Sequence, residues 1–221
     1  MKISTPQNID FNTIDTLIFD WGGVITNISP QASVDAFQKL GHPDFGKYFN
    51  SGSYDDLFLR FEIGEALPEE IYARLNHEIG STCKSRELDE ALCAMLLDTP
   101  EIRLRLLGTL NLRFTLYLLS NTNLLHTNYY IDYLKEKYGI DFKSFFRKVY
   151  LSHELGLRKP DVEIYEKLIR EEHIDPEKTL FLDDLEINIE TARSLGIKTL
   201  LITDQWPVER IFSCYLDHKD N

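Results

Sequence analysis

The sequence has few cysteines, no long apolar run and no basic leader at its N-terminus. The three cysteines, Cys83, Cys93 and Cys214, lie far apart and form no CxxC pair, which argues against a disulfide framework and favours a reduced compartment. No apolar run approaches the length of a membrane span, and residues 1–12 contain a single Lys with no apolar stretch after it, unlike a secretory signal. We therefore expect a cytoplasmic protein without a membrane partner.

Positive charge is also scarce. Lys and Arg number 24 against 36 Asp and Glu, which gives a net charge of −12. A field of this sign repels polyanions, so we expect no nucleic acid partner. The six histidines show neither HxH nor HExxH spacing, which argues against a metal site built from histidines.

Short apolar runs alternate with amphipathic segments over most of the chain. Helical patterns follow the later runs: one begins at a capping Thr or Asn and ends at Gly139, one has Pro160 in its first turn, and one ends at Gly196. This alternation predicts a doubly wound α/β fold in which helices cover both faces of a five-stranded parallel sheet. The predicted strands are TLIFD (16–20), FTLYLLS (114–120), KVYLS (148–152), TLFLDD (179–184) and KTLLIT (198–203).

The interval between the first two predicted strands contains helical patterns only. They lie at about 31–40, 55–63, 68–79 and 85–97, and the interval is too long for an ordinary connection. We predict an all-helical cap domain, residues 29–99, inserted into an α/β core domain made of residues 1–28 and 100–221. The aromatic segment 44–61 of this cap is more typical of a buried core than of a substrate pocket, and both interpretations stay open.

Polar side chains stand at the carboxyl ends of three predicted strands, where a doubly wound sheet binds its ligands. These residues are Asp20, then Ser120 with Asn121, then Asp183 with Asp184. A lone Asp at such a place is more often a turn former or a helix cap. Two adjacent carboxylates at the end of a buried strand repel each other and resist desolvation, so a cation or dense hydrogen bonding must offset them. Hard oxygen ligands of this kind suit Mg²⁺.

Four segments in chain order resemble the motifs of the haloacid dehalogenase superfamily: LIFDWGGVI (17–25), LLSNTN (118–123), GLRKPDVEIY (156–165) and LFLDDLEINIETARSLGI (180–197). The resemblance extends over nearly the whole chain, and the predicted cap lies where that superfamily inserts its helical cap. A Gly two positions after Asp20, followed by Gly-Val, is similar to a branch of bacterial sugar-phosphate phosphatases such as glucose-1-phosphatase. The resemblance implies a Rossmann-type core and a phosphatase acting on a small phosphorylated metabolite such as a sugar phosphate.

The resemblance also implies catalytic roles. Asp20 would be the nucleophile that forms an aspartyl-phosphate. Ser120 and the backbone of Asn121 would hold phosphoryl oxygens, and Lys159 would neutralise the developing charge. Without the resemblance, Lys159 would be assigned to the surface, where most lysines lie.

For the metal, the resemblance implies Mg²⁺ bound by Asp20, the backbone carbonyl of Gly22 and Asp184, with Asp183 acting through water or from a second layer of contacts. One departure stands out, because most phosphatases of the superfamily have a second Asp at the position of Gly22. That Asp protonates the leaving oxygen and then activates water, so its loss should slow the enzyme rather than abolish attack.

The missing acid at Gly22 allows two interpretations besides a phosphatase. One is a non-catalytic or regulatory binding protein that kept the fold, and the other is a haloacid dehalogenase. The dehalogenase branch lacks the adjacent acidic pair, because displacing a halide needs no magnesium. The pair Asp183 and Asp184 therefore favours phosphate over halide.

Overall fold

The computed structural model describes residues 9–46, 56–80 and 82–216, and its centre is a parallel five-stranded sheet. The spatial order is β3-β2-β1-β4-β5, so the chain reverses its direction of travel across the sheet at β1. The strand bounds are β1 Thr16–Phe19, β2 Thr115–Ser120, β3 Lys148–Leu151, β4 Thr179–Asp183 and β5 Lys198–Leu201. All five predicted strands are confirmed, each shortened by up to two residues.

The insertion between β1 and β2 is helical in the part of it that is described. The four helices of this described part pack around an apolar cluster of their own, separate from the two clusters that flank the sheet. Phe45 and Phe61 are buried in this cluster, so the core interpretation of the aromatic segment is confirmed for them, and residues 47–55 lie outside the described residues. The helices are α1 Pro30–Lys39, α2 Asp56–Glu62, α3 Pro68–Ile79 and α4 Ser85–Cys93.

Helices of the remaining chain cover both faces of the sheet. The sequence pattern did not identify the first of them, and it placed Pro160 wrongly. Pro160 precedes the N-cap residue, Asp161, so it lies outside the helix. The helices are α5 Glu101–Leu110, α6 Leu124–Tyr138, α7 Ser152–Leu155, α8 Val162–Glu172, α9 Glu186–Ser194, α10 Val208–Ile211 and α11 Ser213–Leu216.

Alternating side chains of each strand enter opposite apolar layers. In β1, Leu17 and Phe19 join the layer beneath α5, α6 and α10, whereas Ile18 joins the layer beneath α8 and α9. Because both faces are covered, the strands are apolar throughout, which is why their sequence shows continuous apolar runs.

Two linkers join the insertion to the sheet, and they run side by side. Thr26 and Thr99 share a hydroxyl hydrogen bond of 2.6 Å, and the Asn27 amide donates to the Asp98 carboxylate at 3.0 Å. Buried Arg103 donates to Asn27 Oδ1 at 3.0 Å and forms a two-pronged ion pair with Glu209. The predicted boundaries at 28/29 and 99/100 fall within these linkers, and they stay a prediction.

No helix in the described ranges combines the length and the apolar character that crossing a bilayer requires.

Candidate active site

The sheet register brings the acidic residues together. Phe19 pairs with Leu182, so Asp20 comes level with Asp183 as β1 ends, and the Asp20 backbone N–H donates to the Leu182 carbonyl at 2.9 Å. Because β1 is the strand at which the order of the sheet reverses, Asp20 lies where doubly wound folds bind their ligands. Ser120 ends the neighbouring strand, β2.

A buried lysine completes the group. Lys159 is only 1% exposed, and its Nζ lies 3.0 Å from Asp20 Oδ1 and 2.6 Å from Asp183 Oδ2. The alternative that Lys159 is an ordinary surface cation is therefore wrong. We call Asp20, Lys159, Asp183 and Asp184 the inner cluster.

The side chain of Asn121 holds Lys159 in position. Its Nδ2 donates to the Lys159 carbonyl at 2.7 Å, and its Oδ1 accepts the Lys159 backbone N–H at 2.8 Å. The sequence analysis assigned a role only to the Asn121 backbone and missed this one, since the contact joins residues 38 positions apart. The lysine therefore reaches the inner cluster from a fixed backbone.

Asp183 is fully buried, and both of its oxygens are occupied. Oδ1 accepts the Leu185 backbone N–H and the Asn188 amide, each at 2.9 Å, and Oδ2 accepts the Lys159 ammonium. Because both oxygens are occupied, these contacts suit an Asp183 that acts on a metal through water or through neighbouring side chains rather than as a direct ligand. Asn188 was missed by the sequence analysis, although its position five residues after Asp183, in the first turns of the following helix, was a readable signal.

Three carboxylates of the inner cluster, those of Asp20, Asp183 and Asp184, offer ligand atoms within 4.8 Å of one another. Gly23 lies against Asp184 with φ at +71°, and a Cβ at Gly23 would collide with the Asp184 carboxylate. A glycine is therefore required there for two reasons, the backbone conformation and the close approach. At Gly22, by contrast, a Cβ would meet only Ile28 at ordinary contact distances of 3.5 and 3.6 Å.

Burial dominates the electrostatics of the inner cluster. It raises the pKa of Asp20 to about 7, because the lowering effect of Lys159 is smaller and Asp183 and Asp184 raise the pKa further. Burial, then repulsion from Asp183, raises the pKa of Asp184 to about 6. Burial alone would lower the pKa of Lys159, but attraction to Asp183 and Asp20 outweighs it and raises that pKa, so the ammonium stays charged.

These observations fit a hard divalent cation. Three closely spaced carboxylates with a single ammonium among them carry excess negative charge, and two of them hold their protons unusually tightly. A cation bound by oxygen ligands would relieve that repulsion. Asp20 Oδ1 accepts the Trp21 backbone N–H at 2.7 Å as well as Lys159, so Oδ2 is the Asp20 oxygen without a hydrogen bond to a described residue.

Ser120 is 4% exposed, and its hydroxyl makes no hydrogen bond within the described ranges, which leaves it available to a ligand. The Trp21 side chain points into the apolar layer beneath α5, α6 and α10, where its ring contacts Tyr130, Phe142 and Phe146. The structure thus brings Asp20, Lys159, Asp183 and Asp184 into one cluster, with Ser120 at the end of the adjacent strand.

Comparison with known proteins gives consistent matches. The family description "Hydrolase: haloacid dehalogenase-like hydrolase" matches residues 14–196. A D-ribitol-5-phosphate phosphatase of Bacteroides thetaiotaomicron is 31% identical over 190 residues, which cover 84% of this chain and 90% of that protein.

Solved structures agree. A haloacid dehalogenase family enzyme of B. thetaiotaomicron, crystallised with magnesium and inorganic phosphate, superposes with a TM-score of 0.83 at 31% identity, covering 90% of this chain and 99% of that one. A haloacid dehalogenase-like hydrolase of Porphyromonas gingivalis gives a TM-score of 0.83 at 28% identity, covering 94% and 100%.

Proposed function

Since the chain belongs to the haloacid dehalogenase-like hydrolase family, we propose that it is a magnesium-dependent phosphatase whose substrates are sugar or sugar-alcohol phosphates. One observation carries the proposal: three carboxylates and a buried lysine converge at the carboxyl end of the central strand. The similarity to a D-ribitol-5-phosphate phosphatase supports the substrate class.

Asp20 is the nucleophile of this proposal. An Asp20 oxygen forms a bond to phosphorus as the bond from phosphorus to the ester oxygen breaks, and the alcohol leaves with a proton. Water then attacks the aspartyl-phosphate, which releases inorganic phosphate and restores the carboxylate. Lys159 and the Ser120 hydroxyl, with the backbone N–H of Asn121, hold the phosphoryl oxygens during both steps.

In this proposal Asp20, the Gly22 carbonyl and Asp184 would hold the metal. Asp183 does not bind it directly and instead positions the site through its hydrogen bonds with Lys159 and Asn188. Bound Mg²⁺ supplies positive charge that keeps Asp20 ionised and balances the phosphoryl oxygens. Residues 29–99 act as a cap over this edge of the sheet. We place the protein in the cytoplasm.

The missing acid at Gly22 should slow the enzyme on alkyl esters. Without a carboxylate at that position, the leaving oxygen takes its proton from water or from another side chain, so sugar-alcohol phosphates, whose leaving groups are poor, should be hydrolysed more slowly than anomeric phosphates. A dehalogenase is disfavoured, because displacing a halide from carbon needs no magnesium and therefore has no use for the adjacent pair Asp183 and Asp184.

The test is phosphate release from a panel of sugar and sugar-alcohol phosphates, with Mg²⁺ and with EDTA. We expect metal-dependent release, and we expect Asp20→Asn to abolish it, since a neutral amide oxygen is a poor nucleophile. Asp15→Asn is the matched control, because Asp15 is exposed and precedes β1, at the end of that strand opposite to Asp20. No release from any ester would favour the non-catalytic binding protein instead, and full activity in Asp20→Asn would contradict the role of Asp20 as the nucleophile.

A further inference from the structure

Glu62 is the last residue of α2 in the helical insertion, and two different parts of it contact the sheet side. Its carboxylate Oε2 forms an ion pair of 2.7 Å with Arg158 Nε, and its backbone carbonyl lies 2.7 Å from the Ser152 hydroxyl. Arg158 directly precedes Lys159 in the chain. Through Glu62 the insertion therefore touches the segment that carries the buried lysine.

The Ser152 hydroxyl extends this contact to the segment that follows β2. It accepts the Thr122 backbone N–H at 2.9 Å and lies 2.8 Å from the Thr122 carbonyl, so it joins Thr122 to Glu62. Ser152 is fully buried, which shields these hydrogen bonds from solvent. Thr122 comes directly after Ser120 and Asn121, the residues assigned to the phosphoryl oxygens. Both segments that would hold the phosphoryl group thus meet the insertion at one residue, Glu62.

The backbone after Glu62 is also seated on α7. Gly64 has a φ of +76°, and a Cβ at this position would collide with the His153 carbonyl. Glycine is the residue that accepts both this conformation and this close approach. The end of α2 is therefore held against α7 by backbone contacts as well as by the ion pair.

The ion pair between Glu62 and Arg158 is largely shielded from water. Their side chains are 17% and 22% exposed. Burial raises the pKa of Glu62 above its usual value although Arg158 and, more weakly, Lys159 oppose it, so the carboxylate lies within electrostatic reach of the lysine. Removing one charge of such a pair leaves the other buried and uncompensated, so each side chain holds the other in place.

The backbone of Lys159 is thus held on both sides. Asn121 binds its carbonyl and its N–H, and the neighbouring Arg158 is bound to the insertion. A shift of Arg158 would move Lys159, because consecutive Cα atoms lie about 3.8 Å apart across a peptide bond. Displacing a catalytic group by about 1 Å can cost about 10²-fold in rate.

We propose that Glu62 is a positioning residue for phosphoryl transfer. Through Arg158 it holds the segment that carries Lys159, and through Ser152 it holds the segment that follows β2. The two segments reach their reactive arrangement only when α2 is seated on α7. The proposal rests on the proposed phosphatase function, and it adds a residue of the insertion that acts on the chemistry through its neighbours.

The test measures kcat and KM, with Mg²⁺, for Glu62→Gln on an alkyl phosphate and on an aryl phosphate. Gln keeps the shape of the side chain and removes its charge. We expect kcat to fall by about tenfold to 10²-fold, by the same factor on both esters, with KM within about threefold. The reason is that a displaced Lys159 stabilises the developing charge less well. Ser152→Ala should lower kcat by about threefold to tenfold, the effect of one neutral hydrogen bond.

Double variants show through which residues Glu62 acts. Arg158→Gln should lower kcat at least as much as Glu62→Gln, and the variant with both substitutions should be no worse than Arg158→Gln alone. In a Lys159→Met background, Glu62→Gln should change kcat by less than about twofold. Since the double variant removes both charges of the ion pair, it provides the test if Glu62→Gln alone fails to fold. A double variant with wild-type kcat would overturn the assignment.

Glu90→Gln is the matched control. Glu90 lies on α4 of the insertion and forms an ion pair of 2.8 Å with Arg86, but its side chain is 64% exposed. The same substitution therefore breaks an ion pair of the insertion that does not reach the sheet side, and we expect kcat to stay within twofold of the wild-type value.

Unchanged kcat in Glu62→Gln, additive losses with Arg158→Gln, or a full further loss in the Lys159→Met background would overturn the assignment. A loss confined to the alkyl ester would also overturn it, because Glu62 would then act as the proton donor to the leaving oxygen. In each of these cases turnover by the wild-type protein leaves the phosphatase function standing. If the wild-type protein hydrolyses no ester, the proposed function fails and this assignment fails with it.

Discussion

Two clusters of lysine and carboxylates lie at opposite ends of the strands, the first at the carboxyl ends and the second at the amino end of β3. In the inner cluster, Lys159 is buried between Asp20 and Asp183. The second, which we call the outer cluster, consists of Lys148 at the start of β3 with Glu171 and Glu172, and the Lys148 ammonium lies 2.9 and 3.2 Å from these two carboxylates. The two groups have similar composition and similar distances.

Their protonation behaviour is opposite. Hydrogen bonds from Lys167 and Lys148 lower the pKa of the exposed Glu171 to about 2. Burial raises the pKa of Asp20 to about 7 despite its contact with Lys159. The comparison shows that burial, rather than the presence of a lysine, decides whether a carboxylate holds its charge easily. The inner cluster is therefore the one in which a metal ion would offset the cost of keeping buried carboxylates ionised.

The largest effects on kcat and on the free energy of unfolding are expected from removing the buried ammonium of Lys159. Lys159→Met should lower kcat by about 10²–10³, the cost of losing one charge-stabilising donor. It should also lower the free energy of unfolding in EDTA by about 3–5 kcal/mol, because Asp183 and Asp20 lose their compensating charge. Urea denaturation and phosphate release measure the two effects. An active and stable Lys159→Met protein would contradict the role given to the inner cluster.

Adjacent glycines test how closely the inner cluster is packed. Gly23→Ala should lower the free energy of unfolding by about 1–3 kcal/mol and displace Asp184, so that more Mg²⁺ is needed for half-maximal activity. Gly22→Ala is the control, since its added Cβ meets only Ile28. Equal magnesium requirements in the two variants would show that Asp184 is not a metal ligand.

Gly22→Asp adds the missing acid to the inner cluster. The space around Gly22 accepts a Cβ, so the variant should fold, although the extra carboxylate should make it less stable in EDTA than in Mg²⁺. Turnover should rise for simple alkyl phosphates by about tenfold or more and rise less for anomeric and aryl phosphates, which need less protonation. A uniform gain, or none, would mean that protonation of the leaving group does not limit this enzyme.

The inner and outer clusters should change the free energy of unfolding in opposite directions as pH rises. In metal-free protein the folded-state pKa of Asp20, about 7, exceeds the usual value of about 3.9, so between these values the folded chain holds a proton that the unfolded chain has released. Stability should therefore fall as pH rises from about 4 to 7. Glu171, with its pKa of about 2, contributes stability that is lost as pH falls below about 4.

Denaturation in EDTA across this range provides the measurement. The slope between about pH 4 and 7 should become shallower in Asp20→Asn and stay unchanged in Glu171→Gln. An unchanged slope in Asp20→Asn would mean that Asp20 is ionised at low pH in the folded protein.

The smallest effect is expected in the outer cluster. Lys148→Met should cost less than about 1 kcal/mol of unfolding free energy and should leave kcat unchanged, because exposed ion pairs contribute little. The cost should shrink further in 1 M salt, where such charges are screened. A loss as large as that of Lys159→Met would remove the distinction between the clusters.

Local patterns were sufficient to predict the strands and the carboxylates of the inner cluster, whereas the place of Lys159 was predicted from the resemblance to the haloacid dehalogenase superfamily. The runs around 16–20 and 179–184 identified both strands and the acidic residues at their ends, because a parallel sheet places its carboxyl ends on one edge. The contact between Asn121 and Lys159 and that between Arg103 and Glu209 were not predictable, since each joins residues far apart in the chain.

The two linkers of the insertion lie within hydrogen-bonding distance of each other. The Ser29 backbone N–H donates to the Met95 carbonyl at 2.8 Å, so the chain leaves the sheet side and returns to it at nearly one point. A segment that enters and leaves at one point can be exchanged for another without moving β1 relative to β2. The same strands and inner cluster can thus carry insertions of other sizes while the carboxylates and Lys159 stay in place.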